Sequence, residues 1–141
     1  MANMLLPLDE TFRNLKSERD WRELVPELTI GSPIDVQEID FSRQMPEVAE
    51  NFWKNGYLNV PSILDMDEVT PVVAGMKRLK EQGIPPVYIY LFDQPWALFA
   101  RIRPLVRHFL GENFAVLPNL WAWHLDTIGD EGWPLHRDCD A

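Results

Sequence analysis

Apolar positions are sparse and interrupted along the first 42 residues. Prolines at 7, 26 and 33 break the chain, acidic residues are scattered throughout, and only residues 10–24 keep a helical spacing, with Phe12, Leu15 and Trp21 as candidate contacts. Residues 1–42 therefore read as an N-terminal arm whose apolar side chains can lie across a main domain without forming a core of their own. The pattern becomes regular from Pro46: Val48, Phe52 and Trp53 share one helical face, and Gly56 is the expected C-terminal stop. Residues 57–64 read as extended. Asp65 and Thr70 are alternative N-caps for the next helix. Thr70 would place Pro71 at the first helical position, where a missing N–H does no harm; Val72, Met76 and Leu79 then share a face.

Gly83, Pro85 and Pro86 end that helix. Residues 87–92 form a continuous β-branched and aromatic run with the length of a buried strand. Helical spacing returns over residues 95–110, where Trp96, Phe99, Val106 and Phe109 mark the buried side, Pro104 should kink or divide the helix, and Gly111 closes it. Beyond this point the period changes. Residues 114–117 and 120–125 read as strands, the second with Trp121, Trp123 and Leu125 facing one way and Leu120, Ala122 and His124 the other. A loop over 128–132 leads to residues 133–138. The order is helices with one strand among them, then strands only, which is an α+β arrangement without internal repeat or low-complexity segment.

Composition limits what such a chain can do. At 141 residues, 46% apolar and 25% charged, it is one globular domain in size and kind. No run approaches the roughly 18 apolar residues of a membrane span, and residues 1–6 lack the basic start of a secretory signal, so a cytoplasmic location is expected. Thirteen basic against 22 acidic residues give a formal charge of −9, which disfavours nucleic acid and anionic lipid as partners. The basic residues group only at Arg101, Arg103, Arg107 and His108. That group could bind an acidic ligand, but a solvated face near a helix C-terminus explains it more simply. The single cysteine, Cys139, excludes an internal disulfide and any zinc site of paired cysteines, leaving histidine and carboxylate as metal ligands.

The chemistry that remains centres on Gly132-Trp133-Pro134-Leu135-His136-Arg137-Asp138. On an extended strand, positions i and i+2 project from one face, so His136 and Asp138 point together. An imidazole and a carboxylate side by side supply two of the three ligands of the 2-His-1-carboxylate arrangement of non-haem iron sites. The alternative for His136 is a surface strand end. The pair is short and recurs at His124-Leu125-Asp126, where a histidine hydrogen-bonded at the base of a turn and an aspartate capping the following loop account for it without metal. Cys139 would project to the opposite side of the strand from Asp138 and reads as an inert thiol rather than a third ligand. Tyr88 and Tyr90 could line a channel, although core packing is the plainer reading. Trp121, Trp123 and Trp133 flank the candidate metal strand and are candidate contacts for an apolar substrate.

In order along the chain, Pro85-Pro86-Val87, the tyrosine-rich run into Asp93-Gln94-Pro95-Trp96, Leu120-Trp121-Ala122-Trp123-His124 and the Gly-Trp-Pro-Leu-His-Arg-Asp segment resemble the phytanoyl-CoA dioxygenase-like oxygenases. The resemblance covers residues 52–138. It implies a helical N-terminal layer followed by the first strands of an incomplete double-stranded β-helix, or jelly roll, so that residues 43–141 would be the N-terminal portion of an oxygenase domain ending after the proximal metal motif. It also implies Fe(II) as metal, 2-oxoglutarate as co-substrate, His136 and Asp138 as the proximal ligands, and a small-molecule substrate. The family pattern needs a later histidine and a basic residue for the distal carboxylate of 2-oxoglutarate, whereas only Cys139, Asp140 and Ala141 follow Asp138. The expectation is thus a fragment inactive alone, completed by a second chain or a homodimer. A non-catalytic interaction or regulatory domain derived from that family is the alternative.

Overall fold

Short polar side chains and glycines set the helix ends. The computed structural model describes residues 14–117 and 119–125. Helix α1 (Glu18–Leu24) starts where Ser17 Oγ accepts from Asp20 N at 3.3 Å and the Asp20 carboxylate accepts from Ser17 N at 2.7 Å, a reciprocal capping box. Of the stretch 10–24 given helical spacing, residues 10–13 lie outside the described residues, residue 14 is helical, and residues 15–17 interrupt the helix before this cap restarts it. Helix α2 (Met45–Asn55) carries Pro46 in its first turn and ends at Gly56, whose φ of 78° lets its N–H reach Phe52 O at 2.7 Å. Helix α3 (Met66–Glu81) uses Asp65 rather than Thr70 as its cap, paired with Glu68, so Pro71 lies inside the helix. A proline there leaves the carbonyl one turn earlier without its helical donor.

The run over residues 87–92 is a 3-10 helix (Pro86–Leu91), not a strand. Apolar runs of this length fit either state by periodicity alone. Here Pro86 sets a helical φ at the first position, Tyr88 N donates to Pro85 O and Phe92 N to Ile89 O, both at 3.1 Å, and the three-residue spacing buries Ile89 and Phe92 together. Helices α4 (Asp93–Arg101) and α5 (Arg103–Leu110) divide at Ile102, with Pro104 in the first turn of α5, as its sequence position predicted. Their buried positions are Pro95 and Leu105; Trp96 and Phe99, expected in the core, are 40% and 41% exposed.

The core joins Val25 and Leu28 to Val72 and Leu79 of α3, then to Ile84, Ile89 and Phe92, with Leu15, Trp21 and Tyr88 packed against it. Trp21 stacks on Tyr88 at 5.5 Å between ring centroids. Residues from the stretch read as an arm thus supply part of the central core, while Phe12 lies outside the described residues. Gly75 makes the close approach possible: a Cβ there would sit 2.8 Å from Leu28 Cδ1 and 3.0 Å from both Ile89 Cδ1 and Val25 Cγ1.

No strand occurs among the described residues, which overturns the α+β class and the jelly-roll strands expected there. Residues 57–64 are irregular and contain a turn at Pro61 and Ser62, where Ser62 has φ 57°. Residues 114–117 and 120–125 have β-like composition but form no ladder. A strand requires backbone pairing with a neighbour, which composition alone does not supply. No helix among the described residues is long and apolar enough to cross a membrane.

Candidate functional site

Residues 120–125 keep the period of two that the sequence predicts, although no ladder holds them. Leu120, Ala122 and His124 are half-buried, while Trp121, Trp123 and Leu125 are exposed. Ala122 packs against the central core. Tyr90 Oη donates to Trp121 O at 3.1 Å, and Lys80 Nζ donates to His124 O at 3.1 Å, so the segment is fastened to the 3-10 helix at one point and to the end of α3 at another. Trp121 and Trp123, 60% and 43% exposed, therefore lie on one side of this segment.

Tyr90 is itself held in place. Its ring lies 5.8 Å from Trp96 and 6.0 Å from Phe99, and Trp96 Nε1 donates to Tyr90 O at 2.8 Å. Burial raises the phenol pKa above its usual value. Tyr88 takes the packing role through Trp21, so the two tyrosines, read together in the sequence, do different work.

Beside this cluster runs an open apolar groove of about 720 Å³, lined among others by Ile34, Val36, Trp96, Phe99, Val106 and Leu120. Asp93 lies at its edge but turns inward, accepting from Thr29 Oγ1 at 2.9 Å and from the backbone N–H groups of Gly31 and Ser32 at 3.0 Å each. Burial opposes ionisation of Asp93, yet these donors outweigh it and hold its pKa below the usual carboxylate value. Gln94 completes the clamp by accepting from Thr29 N at 3.0 Å. No local pattern marks this role, because the partners lie more than sixty residues apart.

The basic group is paired with acids: Arg101 with Glu68, Arg103 Nε with Glu38 at 3.8 Å, and Arg107 Nε with Glu112 at 3.0 Å. His108 is exposed beside Phe109. Each arginine of the group thus faces a carboxylate, and Arg101, with its side chain 21% exposed, is packed between helices rather than on a solvated face.

His136, Asp138, Trp133 and Cys139 lie outside the described residues, as does Asp126 of the second His-x-Asp pair. Among the described residues no three histidine, cysteine, aspartate or glutamate side chains gather where they could hold a metal ion. In kind, one imidazole and one carboxylate at i and i+2 fit two positions of a facial iron site. Comparison with protein-family models, with curated proteins and with solved structures finds no match to this chain.

Proposed function

We propose that this chain belongs to a cytoplasmic Fe(II)/2-oxoglutarate-dependent oxygenase of the phytanoyl-CoA dioxygenase-like kind and contributes His136 and Asp138 to its iron site. The observation that supports this reading best is the segment 120–125. It alternates like a strand, rests on the helical layer through Tyr90, Lys80 and Ala122, has Trp121 and Trp123 exposed, and precedes the His-x-Asp pair in the sequence, His136 being eleven residues after Leu125.

Iron bound with 2-oxoglutarate supplies the oxidising chemistry. The residues of this chain would hold the metal from two positions and flank the substrate with Trp121, Trp123 and Trp133. Two protein ligands hold Fe(II) weakly, since it stands low in the divalent affinity order. The 141 residues alone are therefore expected to bind Fe(II) weakly and to release no succinate from 2-oxoglutarate. Succinate production by the purified chain, lost in His136→Ala, would contradict the inactive-fragment part of the reading.

One observation favours the second reading, a non-catalytic interaction domain. Trp53, Tyr57, Met66, Leu110 and Leu117 are all more than 60% exposed, an apolar load that partner surfaces cover. That reading requires no metal, so iron binding separates the two.

A further inference from the structure

We infer that the apolar groove along α4 and α5 is a binding site for a small amphipathic acid: the groove takes an apolar body, and Arg103 takes a single anionic head. The site needs neither iron nor a second chain, so it stands whichever of the two readings above holds.

Helical spacing builds its walls. Trp96, Ala97 and Ala100 follow Asp93 by three, four and seven residues and share one face of α4; Arg103, Val106 and Leu110 repeat that spacing in α5. Both faces line the groove, and Ile34, Val36 and residues 114–116 stand among the other walls. The two alanines leave space that larger side chains would fill. At about 720 Å³ the groove falls within the roughly 300–1,000 Å³ of small-molecule sites. Trp96, Phe99, Leu110 and Val116 are 40%, 41%, 69% and 58% exposed, so an apolar body seated against them removes that surface from water.

The charges of the lining select the head. Asp93 and Arg103 are its two charged residues, and the Asp93 oxygens are already bonded to Thr29, Gly31 and Ser32. Arg103, its side chain 52% exposed, faces Glu38 at 3.8 Å, beyond hydrogen-bond length. Its guanidinium therefore has donors to offer, and a carboxylate or sulfonate can accept two of them side by side. A cation would meet Arg103 and an acid whose oxygens are spent, which leaves an anion as the favoured head.

Anilinonaphthalenesulfonate has this chemistry and fluoresces when its rings leave water, and phenylnaphthylamine has a similar body without the charge. Titrated into the full chain, the sulfonate should bind saturably at one site per chain. Arg103→Met, a change at an exposed position, should weaken the sulfonate roughly 5- to 10-fold and leave the neutral dye within about 2-fold. Glu38→Gln removes the facing acid and should tighten the sulfonate. Ala100→Trp fills the groove and should abolish both dyes, whereas Trp53→Ser, which removes a 78% exposed ring outside the groove, should change neither. Equal effects of Arg103→Met on the two dyes would overturn the role of Arg103. Unsaturable fluorescence, no binding by the parent chain, or binding that survives Ala100→Trp in a variant that still unfolds cooperatively in urea would overturn the site. A dimer in sedimentation that Ala100→Trp breaks would assign the groove to a second copy of the chain and overturn it too. If Ala100→Trp does not unfold cooperatively, the two-dye comparison in Arg103→Met decides alone.

Discussion

The hydroxyl of Thr29 donates to the carboxylate of Asp93 at 2.9 Å, joining the N-terminal stretch to the first turn of α4. With Gly31 and Ser32 donating to the same carboxylate and Gln94 bonded to Thr29, this contact fixes the turn at one edge of the apolar groove. Asp93→Asn keeps one acceptor oxygen but loses the charge that strengthens all three bonds. The variant should lose about 1–2 kcal/mol of unfolding free energy, the range for hydrogen bonds to a charged group at a partly solvated site. Urea denaturation followed by tryptophan fluorescence measures it; an unchanged midpoint would mean that the clamp is incidental.

The same carboxylate makes the fold acid-sensitive. Asp93, Glu68 and Glu27 all titrate below their ordinary values of 3.8, 4.5 and 4.5. In Asp93 the three donors outweigh burial, and in the glutamates the hydrogen bonds from Arg101 and Arg78 dominate. A depressed carboxylate pKa contributes stability that is fully present above the unfolded value and is lost as pH falls through the folded one. Stability should therefore be flat from neutrality down to about pH 5 and fall below about pH 4.5. Denaturation midpoints taken across this range should fall less steeply in Asp93→Asn. Equal slopes in variant and parent would remove Asp93 from the explanation.

Leu28 tests whether the N-terminal stretch belongs to the core. It is 3% exposed and packs against Gly75, so Leu28→Ala should cost about 2–4 kcal/mol, as for other buried leucines that leave a cavity. A loss below about 1 kcal/mol would return residues 25–28 to the status of a loosely attached arm.

Gly75→Ala opposes two effects. Alanine improves helix propensity by about 1 kcal/mol, but its methyl would meet Leu28, Ile89 and Val25 at 3.0 Å or less in a packed core. Overpacking should win, giving net destabilisation of about 1 kcal/mol in chemical denaturation. A stabilised variant would show that the three side chains can withdraw.

Local signals carried much of the fold. Gly56, Gly83, Pro104 and Gly111 mark their helix ends or breaks correctly, because each acts through its own backbone geometry. Residues 87–92 misled, because apolar composition does not separate a buried strand from a short helix; the three-residue spacing of Ile89 and Phe92 after two prolines was the available clue. Trp96 and Phe99 keep helical spacing, yet packing gives the interior to Pro95 and Leu105. At the candidate site, alternation over 120–125 was legible from residue type. The donors Tyr90 and Lys80 were not, since a side chain's long-range partner leaves no local mark.

Anaerobic calorimetric titration of the chain with Fe(II), with and without 2-oxoglutarate and alongside His136→Ala, tests the central claim most directly. The account predicts weak, saturable binding that His136→Ala abolishes. Absence of binding, or binding that survives His136→Ala, would contradict an iron site at His136 and Asp138 and favour the interaction-domain reading.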